Sequence, residues 1–206
     1  MVRVLGRANS INVQKVMWLA AEIGLAVDRI DLGGAFGGND RPDYLAKNPT
    51  GRIPTLEDGD FVLWESNSIV RYLAETYGTA PWLPADTAAR HHASQWMDWY
   101  LASVHAPMTV MFQQLIRTAP EDRDREAVAQ AVNQAAGLWR LVDGHLASRP
   151  YLTGDDISMG DIPLGCAAYR WHTLDVERPD LANLRAWYDR LNGRPAFRQN
   201  VMLPLT

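Results

Sequence analysis

The sequence predicts an α/β domain followed by an all-α domain. Two observations carry this reading. Strand-like and helix-like stretches alternate only as far as about residue 78, and a tight-turn dipeptide, Asp58-Gly59, joins two short strand-forming runs within that part. Beyond residue 86 the strand signals mostly vanish and apolar residues recur at helical spacing.

Taken in order, Arg3 to Gly6 is a strand candidate leading into Asn9-Ser10, a helix-start pair. Val13, Val16, Met17 and Ala20 then lie on one helical face, and Gly24 stands where a C-terminal cap belongs. Ala26 to Leu32 is the next strand, which makes the opening a βαβ unit. Gly33 to Asp40, GGAFGGND, fits neither the dinucleotide fingerprint nor the Walker pattern and is read as a loop. Arg41 to Lys47 is a short helix with proline in its first turn. A hairpin follows, from Pro54 through Asp58-Gly59 to Trp64, then a helix from Ser66 to Tyr77 that stops at Gly78. βαβ followed by ββα is the thioredoxin-like arrangement, so residues 1–78 form that domain, 79–85 a proline-bearing linker, and 86–206 the helical domain.

In the second half, Asp86 to Arg117 is one long helical pattern that Pro107 is expected to kink or break. Pro120-Glu121 is expected to start the next helix, with Val128, Ala131, Ala135, Leu138, Val142 and Leu146 on one face. Ser158 and Asp161 stand three apart as a capping box, flanked by Ile157 and Ile162 as a hydrophobic staple. Asp161 is accordingly read as a capping residue rather than a catalytic acid. The last helix runs from about Leu181 to Asn192, closed by Gly193 to Phe197.

Composition narrows the function. A net charge of −4, with no long basic run, gives no reason to expect nucleic acid or an anionic membrane as partner. No apolar stretch approaches the length that a bilayer needs, and MVRVLGRANS lacks the shape of a secretory signal. Cys166 is the only cysteine, so no internal disulfide can form and a cytoplasmic location is expected. The five histidines show no metal-ligand spacing, and no metal is expected. The helix-spaced aromatics and methionines, Trp96, Trp99, Met108, Met111 and Phe112 among them, are read as core.

The candidate chemistry lies around the hairpin. Pro54 has no N–H, which leaves the backbone of Ile53 free to pair with an incoming extended chain. Ser66 is expected to cap the following helix, whose first N–H groups can meet an anion, and Glu65 can receive an ammonium. Together these suit a small peptide-like ligand.

These residues resemble the glutathione site of the soluble glutathione transferase superfamily. The resemblance runs from Val4 to Phe197 and includes the Ser158/Asp161 box and the Gly193-Arg194-Pro195-Ala196-Phe197 phrase. It implies that Ile53 pairs with the cysteinyl backbone, that Pro54 is cis, that Glu65 and Ser66 hold the γ-glutamyl end, and that Arg52 lies near the glycyl carboxylate. It also implies glutathione as co-substrate with no further cofactor, a small electrophile as second substrate, and a homodimer. Peroxide or disulfide reduction, and a non-catalytic binding module, remain alternative uses of the same fold.

Such an enzyme must favour the thiolate. A thiol of pKa ~8.5 is roughly 3% ionised at neutral pH, and lowering it by about two units, ~2.7 kcal/mol, ionises roughly three quarters. One charge-assisted hydrogen bond plus a helix N-terminus supplies that much. By resemblance to the serine-type classes, Ser10 is the expected donor, with Asn12 as support or replacement and Asn9 as a weaker third choice. Tyrosine-based classes do not fit, because no tyrosine precedes Tyr44.

Overall fold

The computed structural model describes residues 1–206. Its first layer is a four-stranded sheet in the order β2-β1-β3-β4, with β1 Val2–Leu5, β2 Val27–Ile30, β3 Thr55–Asp58 and β4 Phe61–Trp64. β1 and β2 pair in parallel, as the helical crossover α1 (Ile11–Glu22) between them requires. β3 runs antiparallel to both β1 and β4, and the Asp58-Gly59 turn places Thr55 opposite Trp64. The short helix α2 (Pro42–Leu45) precedes β3, and α3 (Ser66–Tyr77) follows β4.

Gly24 sits at φ 68° after α1, where the N–H groups of Gly24 and Leu25 return to Ala21 and Ala20 carbonyls, the capping geometry expected of it. α1 is buried on nearly every side, because it lies between the sheet layer and the helical domain, touching α3 below and the helices of the second half above.

The second half contains α4 (Thr87–Trp99), α5 (His105–Phe112), α6 (Arg125–Leu146), α7 (Asp161–Thr173), α8 (Ala182–Asn192) and α9 (Pro195–Asn200). Three details differ from the sequence-based expectation. Pro107 does not break the helix: the turn before it, Tyr100–Val104, widens to a π-turn, and the chain runs on helically through α5 to Arg117. The π-turn is where the register absorbs a residue that has no N–H to give and would crowd the carbonyl one turn back. α6 starts at Arg125 rather than Pro120, because Pro120–Asp122 forms only a 3₁₀ turn and the Asp124 carboxylate caps the N–H of Ala127 at 2.9 Å. Pro195 opens a separate helix, α9, instead of merely closing α8.

Half of the Ser158/Asp161 box forms, with Gly160 rather than Ser158 at the N-cap position of α7. Asp161 Oδ2 accepts from the Ser158 N–H at 3.0 Å, Ser158 Oγ accepts from the Gly160 N–H at 3.2 Å, and Ile157 and Ile162 are both buried. Asp161 is fully buried and does more than cap, since its Oδ1 also accepts from the Leu152 N–H at 3.1 Å and Trp187 Nε1 at 2.9 Å. Burial raises its pKa against the pull of these donors.

One hydrophobic cluster of 44 residues runs through both halves. At its junction Trp18 of α1 meets Phe197 of α9 edge to face, centroids 4.8 Å apart, and Trp82 from the segment between α3 and α4 at 6.3 Å. Trp96, Met108, Met111 and Phe112 are buried, in line with their reading as core.

Candidate active site

Where the sheet layer meets the helical layer, a cavity of about 200 Å³ is lined by Asn12, Asn48, Thr50, Arg52, Ile53, Pro54, Glu65, Ser66, Leu101 and His105. Six of the seven residues expected at a ligand site, Asn12, Arg52, Ile53, Pro54, Glu65 and Ser66, are thus brought together. A larger surface groove of about 560 Å³, between α6 and residues 175–179, shares none of them.

The loop that carries Ile53 is built from below. Asn48, 1% exposed, donates to the Arg52 carbonyl at 2.8 Å and to Thr55 Oγ1 at 3.1 Å, while its Oδ1 accepts from the N–H of Thr50 at 3.1 Å and Thr50 Oγ1 at 2.6 Å. The Tyr44 hydroxyl bonds the same carbonyl and lies 2.8 Å from Thr55 Oγ1. Gly51 makes the turn possible at φ 62°, where an added Cβ would also lie 3.2 Å from the Asn39 carbonyl. With the loop pinned from one side, Arg52 remains exposed at the rim and the Ile53-Pro54 peptide bond is cis.

Glu65 and Ser66 divide their work differently from the sequence expectation. Glu65, not Ser66, occupies the N-cap position of α3, at φ 71° and ψ 112°, the one non-glycine residue with positive φ. That conformation is sparsely populated for a side chain with a Cβ, and it stands at the cavity wall. Ser66 is the first helical residue, buried, and its hydroxyl turns to Asn12 Oδ1 at 3.3 Å instead of capping.

At the start of α1, Ser10 holds the N-cap position with extended backbone, but its hydroxyl makes no hydrogen bond within the chain and it does not line the cavity. Asn12 does line it. Its Oδ1 accepts from both Lys15 Nζ at 3.0 Å and Ser66 Oγ at 3.3 Å, which leaves the amide N–H groups as the end without a partner in the chain. Asn9 points elsewhere, its Nδ2 bonding the hydroxyl of Thr206.

Lys15, Asn48, Tyr44, Leu101 and His105 were not singled out by the sequence. His105 enters there only as one of five histidines without metal-ligand spacing, and Lys15 not at all. The Asn48-Pro49-Thr50-Gly51 run, rich in turn-forming residue types, is the sequence signal for the supporting loop. Burial pushes the Lys15 ammonium down to about 7, and it pushes His105 below its ordinary value, with the Lys15 and Arg170 charges adding to the effect. Cys166 is fully buried, with its thiol pushed up to about 12. It is therefore no nucleophile, and any reactive sulfur at this site has to come from a ligand. No three His, Cys, Asp or Glu side chains come together as a metal site.

A thioredoxin-like sheet layer with a cis-proline loop, facing an all-helical layer across a polar cavity, defines a class of two-layer protein with its site between the layers. Family comparison narrows it. Residues 1–75 match the model of the glutathione S-transferase N-terminal domain, and residues 125–190 that of the C-terminal domain. The chain is 37% identical over 208 residues to glutathione S-transferase GstB of Escherichia coli, with each covered in full, and 31% identical over 221 residues to glutathione S-transferase 3 of Zea mays, covering 97% of this chain and 93% of that one. Among solved structures, the glutathione-bound theta class glutathione S-transferase of Xanthomonas axonopodis pv. citri superposes with a TM-score of 0.96 at 46% identity, covering 100% of this chain and 99% of the other. The chain belongs to the glutathione S-transferase family, and it is a glutathione transferase.

Proposed function

We propose that the cavity binds glutathione in extended form and that the protein joins its sulfur to a small electrophile. The observation that carries this reading is the meeting of Asn12, Ile53-Pro54, Glu65 and Ser66 on one cavity wall from three separate elements. The Ile53 backbone pairs with the cysteinyl residue, Glu65 takes the α-ammonium, Ser66 and the first N–H groups of α3 take the γ-glutamyl carboxylate, and Arg52 at the rim attracts the glycyl carboxylate. Asn12, rather than Ser10, is the main donor to the sulfur. The Asn12 amide N–H groups and the Ser10 hydroxyl both lack a partner in the chain, and of the two residues only Asn12 lines the cavity, which supports Asn12. The resulting thiolate attacks the electrophile directly, and the leaving group departs with its electron pair.

We take the protein to be a cytoplasmic homodimer. Phe61, Val62 and Trp64 on edge strand β4, and Leu101 beside the cavity mouth, are exposed apolar groups that a second copy would cover, hairpin against long helix. The single, buried cysteine agrees with a reducing compartment, and no helix is long and apolar enough to cross a membrane.

The test is calorimetric titration with glutathione, followed by turnover of aryl halides, peroxides and mixed disulfides. The transferase reading requires saturable glutathione binding and turnover of a halide or related electrophile. Binding without any turnover would leave a binding module, and turnover of peroxides or disulfides alone would make it a reductase.

A further inference from the structure

Beneath Asn12 and Ser66 lies a charge for which the proposed chemistry has no stated use. Lys15 is 0% exposed, one helical turn after Asn12 on α1. Its ammonium has three neighbours: Asn12 Oδ1 at 3.0 Å, Ser66 Oγ at 3.4 Å and the face of Tyr100, 4.2 Å from the ring centroid. No carboxylate lies within ion-pair distance of it, whereas the chain's one other lysine, Lys47, pairs with Glu57, and most arginines stand in water or beside an acid. Burying an ammonium without a counter-charge costs several kcal/mol, far more than a methionine at the same position would. Two of its three contacts belong to residues that line the cavity, so the natural counter-charge is an anion held there.

We infer that Lys15 is the positioning residue of the sulfur: its ammonium fixes the Asn12 amide with Nδ2 toward the cavity and supplies the positive field that keeps the bound thiol ionised. This rests on the glutathione reading of the cavity. An ammonium has donors only, so the Asn12 group that faces it has to be the oxygen, and the donor end of the amide is thereby turned to the ligand. The field works both ways. The charge lowers the thiol pKa, and the thiolate raises that of Lys15 by the same coupling. Ionisation sends the sulfur's proton to solvent, while the neutral fraction of Lys15 takes one up.

The other groups around Lys15 do not replace this role. From α7, Cys166 stays a neutral thiol and Arg170 adds positive charge over the Phe112 ring at 3.8 Å. From the long helix, the Tyr100 phenol is held neutral by burial and its hydroxyl is paired with His105 Nδ1 at 3.2 Å. From the start of α3, Glu65 is the one nearby acid, exposed and lining the cavity. With Lys15 held near 7 by burial, the empty site carries the charge only in part, and the anion completes it.

The experiment compares wild type with Lys15→Gln and Lys15→Arg, each saturated with glutathione, by following thiolate ultraviolet absorbance against pH. In Lys15→Gln the pKa of the bound thiol rises by about one unit and kcat/KM near pH 6.5 falls about tenfold, while affinity for S-methylglutathione, which has no thiol to ionise, changes less than about threefold. Lys15→Arg keeps the lower pKa. An unchanged thiol pKa in Lys15→Gln, or a loss of S-methylglutathione affinity as large as the loss of turnover, overturns the inference. If neither variant folds, wild type suffices: proton release on binding, measured calorimetrically in two buffers of different ionisation enthalpy, falls short of the thiolate formed if Lys15 takes up protons, and equals it if Lys15 is a bystander. No saturable glutathione binding by wild type would instead remove the glutathione reading itself.

Discussion

Arg194, just before α9, donates two parallel hydrogen bonds to the carboxylate of Glu22, the last residue of α1, at 2.6 and 2.7 Å. A carboxylate at a helix C-terminus faces the negative end of the dipole, so Glu22 is unfavourable there until the guanidinium arrives. The same carboxylate accepts from Trp18 Nε1 at 2.9 Å, and Arg194 spreads over the Trp82 ring at 5.4 Å. This clasp ties the α1 side of the glutathione site to the C-terminal helices. Glu22→Ala leaves both the guanidinium and the indole N–H unpaired, in a place where the Glu22 side chain is 9% exposed. The expected loss is about 2–3 kcal/mol, a fall in Tm of about 4–10 °C by calorimetry. A change under 1 °C would mean that the clasp is not holding the halves together.

His172 should make stability fall in mild acid. Its ring stacks on Tyr188 at 4.4 Å between centroids, its Nε2 is buried without a partner, and burial, aided by the Arg178 and Arg185 charges, lowers its pKa to about 4. The folded pKa lies below the unfolded one, so the unfolded chain takes up the proton first. Its stabilising contribution is complete above about pH 6.5 and is lost as pH falls toward 4. Wild type should lose on the order of 2 kcal/mol more than His172→Phe between pH 7 and 4.5 in urea titrations, since phenylalanine keeps the stack and cannot charge. Parallel pH profiles of the two proteins would reject this.

The hairpin and α3 were legible in the sequence because their determinants are local: Asp58-Gly59 allows only a tight turn, and Ser66 to Tyr77 has a clear apolar face. The expected meeting of Ile53-Pro54 with Glu65-Ser66 followed from that hairpin. The positive φ of Glu65 did not, since no residue-type preference marks a glutamate for that conformation. Nor did the burial of Lys15. On α1 it occupies a position that a solvated lysine could fill, and only the approach of α7 and Tyr100, from far along the chain, encloses it. Pro107 misled because a proline announces a disturbance without saying whether a π-turn will absorb it.

Asn12 and Ser10 are separable by kinetics. If the Asn12 amide is the donor to the sulfur, Asn12→Ala removes a charge-assisted hydrogen bond of about 1.5–3 kcal/mol, and kcat/KM should fall about 10- to 100-fold at neutral pH, recovering as pH rises and the thiol ionises unaided. Ser10→Ala, which deletes a hydroxyl with no partner in the chain, should stay within about threefold. The reverse ranking would return the role to Ser10.

Asn48 offers the sharpest separation of binding from chemistry. It touches no part of the sulfur site, yet all four of its side-chain hydrogen bonds end on Thr50, Arg52 or Thr55, the residues that bracket Ile53. Asn48→Ala frees the Arg52 carbonyl, still held by Tyr44, and leaves the buried Thr55 hydroxyl with one partner fewer. The Ile53 backbone then has to be ordered by the ligand itself, and the cost appears as weakened binding. Glutathione Kd should rise about 5- to 20-fold, with ~1–2 kcal/mol spent on ordering the loop, while the pKa of the bound thiol and kcat at saturation stay within about threefold. Because Asn12, Ser66 and Lys15 are untouched, a large drop in kcat at saturating glutathione would show that the loop also sets the position of the sulfur, and the division of labour between the two ends of the cavity would have to be redrawn.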